Sequence, residues 1–226
     1  MTATSEPPLE ASDVAVLVPA AGLGMRLGGG TPKALRELAG ESLLVRCCRN
    51  LSGVGLIVVA APPDAVDLVA RLVRGAVVVA GGQTRQESVA NALAAVPSEF
   101  DIILVHDAAR ALAPFSLVTS VAKAVRDGHD AVIPVLPVVD TIKQVNALGD
   151  VVATVDRAEL RAVQTPQGFR RALLAKAHAT VTDSHTDDAG MVERLGATVH
   201  TVPGDPRAMK ITTPADLRLA EVWLDS

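Results

Sequence analysis

Aromatic residues are nearly absent from this chain: they make up 2% of 226 residues, with three Phe, one Trp and no Tyr. That removes the stacking platform on which proteins hold single-stranded nucleic acid. Positive charge is not in surplus either. A formal net charge of -4 argues against a general binder of phosphate backbones, so an anionic ligand has to be met by a local cluster of Lys and Arg. Cysteine is limited to Cys47 and Cys48. Adjacent residues are poor partners for a relaxed disulfide, and no Cys-x-x-Cys pair is present for zinc. The two fit a helix of apolar character in a reducing compartment. No apolar run is long enough to span a bilayer. Residues 1–12 carry Pro7-Pro8 and lack a basic start followed by an apolar stretch, so they are expected to be a disordered tail and not a secretory signal. The expectation is a cytoplasmic protein with no nucleic-acid or membrane partner.

Apolar residues, by contrast, make up 49% of the chain against 20% charged, enough for one large core. Val14–Val18, Leu56–Ala61, Ala76–Ala80, Asp101–Val105 and Ala131–Val135 are short β-rich runs, near-continuously apolar as in strands buried on both faces. Helical patterns lie between them. Asp64 is placed to cap a helix through Val73, Thr84 to begin one carrying Val89, Leu93 and Val96, and Pro114 to open the next. Strand and helix in alternation predict an α/β fold, a doubly wound and mostly parallel sheet forming one domain over 13–226. Right-handed crossovers then bring the C-terminal ends of the strands to one edge, where such sheets bind ligands.

One segment breaks the alternation. Thr141–Val145 and Val151–Val155 flank Asn146–Asp150, a β-hairpin with a glycine in its turn. Its Val-rich strands need covering, so the region 138–164 is expected to be a protruding arm that reaches another subunit. Helices are expected around Arg171–Ala179 and Asp187–Leu195, then a strand Thr198–Val202. A last helix is expected over Pro214–Leu224, with Thr213 as its cap. Asp187 and Asp188 are best placed to cap the helix they open.

Pro19-Ala20-Ala21-Gly22-Leu23-Gly24-Met25-Arg26-Leu27 follows the first strand directly. Small residues there let backbone N–H groups approach phosphate oxygens. A dinucleotide fingerprint would need Gly or Ala at Leu27 and an acid where Ala60-Ala61 stand. A P-loop would need Gly-Lys-Ser/Thr, which is missing. A loop carrying its own cations, Arg26 and then Lys33, suits a triphosphate that is to be cleaved. A plain surface loop remains the alternative.

The order Pro19-Ala20-Ala21-Gly22-x-Gly24-x-Arg26, Pro32-Lys33, Gly81–Val89, Val105–Arg110, Asp140–Lys143, Val155–Arg157, Gln164–Gln167, Thr186–Ala189 and Lys210–Thr212 resembles the 2-C-methyl-D-erythritol 4-phosphate cytidylyltransferase family. The resemblance runs from about Val14 to Leu219 and covers one such domain, not a fused pair. It implies a Rossmann-like nucleotidyltransferase fold and a homodimer formed through the hairpin arm. The reaction it implies joins CTP to a polyol phosphate, 2-C-methyl-D-erythritol 4-phosphate, and releases pyrophosphate. It also implies roles. Arg26, Lys33 and Lys210 would be catalytic. Ala20, Ala21, Gly22, Gly24, Gly82 and Ser88 would bind the nucleotide. Arg110, Thr141, Arg157, Thr165, Thr186 and Lys210 would hold the second substrate. Asp107 would hold Mg2+ or another divalent cation, with His106 beside it a packed strand residue. One departure stands out, since Ala208 replaces the Asn that the family usually has two residues before the late lysine. A ribitol 5-phosphate cytidylyltransferase, or a non-catalytic nucleotide-binding protein on the same fold, is the alternative reading.

Overall fold

The computed structural model describes residues 13–22, 33–181, 185 and 187–224, the side chain of Lys33 excepted. The first strand, β1 (Val14–Pro19), shows why the chain winds on both sides of a sheet. Val14, Val16 and Val18 point into one apolar cluster and Ala15 and Leu17 into another, all of them fully buried. A strand has a side-chain period of two, so a run of apolar residues without a polar alternate requires a layer of helices on each face.

After β1 come the short pair β2 (Glu37–Leu38) and β3 (Glu41–Ser42), then α1 (Leu43–Asn50), β4 (Leu56–Ala61), α2 (Val66–Leu72), β5 (Val77–Ala80) and α3 (Arg85–Ala94). The middle of the chain holds β6 (Ile102–Val105), α4 (Phe115–Arg126), β7 (Ala131–Pro137), β8 (Ile142–Val145) and β9 (Val151–Val155). It closes with β10 (Arg161–Val163), β11 (Gln167–Arg170), α5 (Arg171–Thr180), α6 (Asp188–Arg194), β12 (His200–Pro203) and α7 (Pro214–Leu224). Helices α1, α2 and α4 supply Leu44, Val69 and Val121 to one face. Helices α3, α5 and α6 supply Val89, Leu174 and Met191 to the other. Cys47 and Cys48 face the first of these cores from α1. Burial pushes the Cys48 thiol up to about 12 and that of Cys47 upward as well, so both are inert apolar side chains.

Across the sheet the order is β5-β4-β1-β6-β11-β7, with β10 and β12 also paired to β7. The β1–β4, β1–β6, β4–β5 and β7–β12 pairs are parallel, and β11 runs antiparallel between β6 and β7. The α/β, doubly wound, mostly parallel expectation is met. The antiparallel β11 was not legible, because Gln167-Gly168-Phe169-Arg170 carries one large apolar residue and no alternation.

The hairpin of β8 and β9 forms, as a separate two-stranded sheet. Its region is shorter than 138–164, since β10 pairs with Val135–Pro137 of β7 and belongs to the main sheet. Gln164 N–H donates to the Pro134 carbonyl and Gly204 N–H to the Val135 carbonyl. Successive carbonyls of an extended strand point to opposite edges, so β10 and β12 flank β7 on opposite sides. The helix expected from Asp64 is delayed. A 3-10 turn, Pro63–Ala65, comes first, and Asp64 does not cap α2, whose N-cap is Ala65.

Candidate active site

Parallel strands deliver their C-terminal ends to one edge, and the sheet ladder extends into the loops beyond them. Ala20 N–H donates to the Ala60 carbonyl at 2.8 Å, Gly81 N–H to Ala61 at 2.7 Å and His106 N–H to Leu17 at 2.8 Å. The loops after β1, β5 and β6 are therefore fixed by β pairing, and between them lies a cleft of about 290 Å³. Two glycines allow its walls to close up. A Cβ on Gly81 would lie 2.6 Å from the Ala21 Cβ, and one on Gly82 would lie 2.2 Å from the Glu87 Cβ. The turn they make is tied to the start of α3. Thr84 caps that helix through Glu87 N–H at 3.0 Å, the Glu87 carboxylate accepts from Gln83 N–H at 2.7 Å, and the Ser88 hydroxyl accepts from Gly82 N–H at 3.1 Å. Ser88 also donates to the Thr84 carbonyl, so its hydroxyl ties the wall of the cleft to the start of the helix.

The floor is electrostatic. Asp107 stands just beyond β6 with Lys210 Nζ at 2.8 Å, Arg85 Nε at 3.4 Å and Arg110 Nε at 3.9 Å. Burial alone would raise its carboxyl, but Arg85, Lys210 and Arg110 outweigh that and hold it well below the usual carboxylate range. Among the described residues the three cations share two carboxylates, Asp107 and, through Arg85, Asp188, which leaves local positive charge in a chain that is acidic overall. Lys210 keeps 43% of its side chain exposed, which turns part of that charge toward the cleft. Its backbone is held on both sides, by Ile211 N–H on the Ala109 carbonyl at 2.8 Å and by Arg110 Nη1 on the Ala208 carbonyl at 2.6 Å. Ala208 is fully buried against Ala113 and Leu117. What anchors Lys210 here is a backbone carbonyl, which Ala supplies as well as Asn.

Behind Asp107, His106 is buried and its Nδ1 lies 3.0 Å from the Thr165 hydroxyl, which accepts from Asp107 N–H at 3.0 Å. Burial, offset only in part by Asp107, pushes His106 down to about 4, so the imidazole is neutral and shares a hydrogen bond with the Thr165 hydroxyl. An imidazole that stays neutral when folded but ordinarily titrates near 6.5 costs stability as pH falls. The unfolded chain takes up the proton first. The loss begins near pH 6.5, grows to about 3 kcal/mol by pH 4, and is fully absent above that window. His106→Asn, which keeps a hydrogen-bonding partner for Thr165 but does not titrate, is expected to flatten the pH 4–6.5 part of the melting-temperature profile, measured without nucleotide or divalent cation. An unchanged profile would contradict the neutral assignment.

The structure brings Ala20, Ala21, Gly22, Gly82, Ser88, Asp107 and Lys210 together in one cleft. Arg110 and Thr165 adjoin it with their polar atoms turned to protein partners, Arg110 to the carbonyls of Ala208 and Val163. Thr141 and Arg157 lie at the exposed base of the hairpin, where Arg157 donates to the Val139 carbonyl, and neither lines this cleft. Gly24, Arg26 and Thr186, the side chain of Lys33, and the tail 1–12 fall outside the described residues. Of the paired acids, Asp187 caps α6 as expected, accepting from Gly190 N–H. Asp188 does not cap. It is fully buried, accepts from Arg85 Nη1 at 2.6 Å and faces His178 Nε2 at 3.0 Å. Arg85 therefore spans two carboxylates, Asp107 in the cleft and Asp188 behind it. The sequence hinted at this role only in that an Arg follows the glycine turn at the first position of a helix.

The sequence model of the family IspD, 2-C-methyl-D-erythritol 4-phosphate cytidylyltransferase, matches residues 14–226. The chain belongs to this family. Membership makes it a cytidylyltransferase of isoprenoid precursor biosynthesis, acting on CTP and methylerythritol phosphate. It is 57% identical to the 2-C-methyl-D-erythritol 4-phosphate cytidylyltransferase of Frankia casuarinae, over 96% of this chain and 83% of that one. It is 54% identical to that of Saccharopolyspora erythraea, over 93% and 99%. Among solved structures, the cytidylyltransferase of Thermus thermophilus superposes with a TM-score of 0.81 at 38% identity, over 95% of this cytidylyltransferase and all of that chain.

Proposed function

We propose that this cleft performs the cytidylyl transfer by positioning and charge neutralisation alone, without a general base. The observation that carries the reading is Asp107 with its three cations on the floor of a backbone-walled cleft. The nucleophile is the 4-phosphate of methylerythritol phosphate. Its second pKa is about 6, so it arrives mostly dianionic and needs no proton removed. It attacks the α-phosphorus of CTP, and pyrophosphate leaves. Two polyanions must meet while charge builds on the transferring group, and fixed cations serve that purpose. Arg26 and Lys33 neutralise the triphosphate, Lys210 meets the incoming phosphate, and the backbone from Ala20 to Gly22 and at Gly82 cradles the cytosine.

Among the described residues no group of three or more His, Cys, Asp or Glu could hold a metal ion. A single carboxylate is nevertheless what Mg2+ uses when most of its ligands are water and substrate phosphate. Asp107 fits a cation delivered with the triphosphate, and not a resident one. When bound, such a cation supplies charge neutralisation across the phosphates. Asp107 would then exchange Lys210 for it and free the ammonium for substrate.

Thr141 and Arg157 complete the methylerythritol phosphate site from the hairpin of a second subunit. The exposure of Val145, Leu148, Val151 and Val152 on that hairpin supports an arm that another copy covers. No helix among the described residues is long and apolar enough to cross a membrane, in keeping with a cytoplasmic enzyme. Arg26→Ala and Arg157→Ala are each expected to abolish turnover in folded protein. Mixed under conditions of proven subunit exchange, they should recover part of it, because one site in the hybrid is intact. No recovery would contradict the shared site.

A further inference from the structure

The chain has four aromatic residues. Phe100 and Phe169 are buried in the core, and the other two, Phe115 and Trp223, line one cavity of about 310 Å³ beside α1. Three arginines, Arg46, Arg49 and Arg207, line the same cavity. In a chain so poor in aromatics and net acidic, that coincidence is specific to this place. The cavity is of the size that holds small organic ligands, and none of its residues belongs to the cleft described above.

Its charge is not balanced from within. Glu41 serves two of the arginines, Arg46 at 3.1 Å and Arg49 at 2.8 Å, and Asp205 serves Arg207 at 2.7 Å. Among the described residues, three cations thus face two carboxylates. Arg46 is more than nine-tenths buried, yet its Nε has no hydrogen-bond partner, although a buried guanidinium N–H ordinarily finds one. Arg49 and Arg207 keep 58% and 57% of their side chains exposed, so both forks can turn onto a ligand. The N-terminus of α4 opens here as well. Its N-cap, Pro114, supplies no side-chain bond, which leaves the positive end of a twelve-residue helix at the cavity. The aromatic wall is closely backed, since a Cβ on Gly53 would lie 2.4 Å from the tip of the Phe115 ring.

We propose that this cavity binds a small organic anion, a phosphate or carboxylate head on a flat apolar body, and that its occupancy is transmitted to Lys210. The arginines match the head, because guanidinium forks pair with such groups in two places at once. Phe115, Trp223 and the flanking Leu112 and Leu224 match the body. The transmission runs through a short stretch of backbone. Arg207 lies in the 3-10 turn Pro206–Ala208, whose last carbonyl Arg110 holds, and Lys210 follows two residues later. A ligand that draws the Arg207 guanidinium off Asp205 removes its Nε and Nη2 bonds from the carboxylate that caps this turn, which then holds the turn through the Arg207 N–H.

Trp223 is the chain's single tryptophan, so its fluorescence reports on the cavity directly. Phenyl phosphate, titrated into the full-length protein, is expected to change that fluorescence saturably. Inorganic phosphate and phenol alone should do so much more weakly, and CTP not at all. Arg49→Ala and Arg207→Ala, both at exposed positions, should remove the saturable change, and Arg49→Ala should leave turnover unaltered without the probe. At saturating CTP and methylerythritol phosphate, phenyl phosphate should change kcat in the unmodified enzyme and not in Arg49→Ala. Absence of a saturable signal, or a signal that both variants retain, would overturn the site. A response to inorganic phosphate as strong as to phenyl phosphate would overturn the ligand class. Binding with unchanged kcat would overturn the link to Lys210.

Discussion

Asp107→Asn is expected to lower kcat by on the order of a hundredfold or more, the size of effect seen when one charge-stabilising contact is removed from an active site. The substitution keeps the shape of the side chain and the backbone N–H that donates to Thr165. It removes the negative charge that three cations share and that a divalent cation entering with CTP would need. The fold should survive it. Arg85 retains Asp188 at 2.6 Å, Arg110 retains two backbone carbonyls, and Lys210 is partly in solvent. Steady-state kinetics beside a thermal melt check both halves. A normal kcat would remove Asp107 from the mechanism, and an unfolded variant would make it a structural residue first.

Arg85→Ala should act the other way round, on stability as much as on turnover. Asp188 is fully buried, and its carboxyl is held low by its hydrogen bond to His178 and by Arg85, which together outweigh the burial that would raise it. Without Arg85 a buried carboxylate keeps one imidazole as its partner. Breaking a buried pair from one side costs about 3–5 kcal/mol. At about 2–4 °C per kcal/mol for a chain of this length, the melting temperature should fall by roughly 6–20 °C. Removing Asp188 at the same time should recover part of the loss, because no uncompensated charge is then left inside. If Arg85→Ala melts with the unmodified protein, the Arg85–Asp188 pair does not stabilise the fold.

What could be read from the sequence divides along physical lines. Strands β1, β4 and β6 announce themselves because burial on both faces leaves no polar alternate, and α3 because Thr84 caps it. The cleft residues contributed by strand ends, Ala20, Gly82 and Asp107, follow from the same alternation, since parallel strands bring those ends together. Strand β11 was hidden because its four residues are placed by their neighbours and not by their own pattern. The split between Asp187 and Asp188 was hidden for a related reason. Both are acids at a helix start, and only the approach of Arg85 and His178 from other elements decides which of them caps and which is buried. Ala208 put the local contacts around Lys210 in question, not Lys210 itself, and the contact at that position is made by its carbonyl.

The most direct test of the account is pyrophosphate release by the purified protein with CTP and Mg2+, comparing methylerythritol 4-phosphate with ribitol 5-phosphate as acceptor. The expected result is turnover with the first and little with the second. Turnover with the second alone, or with neither in folded protein, would contradict it.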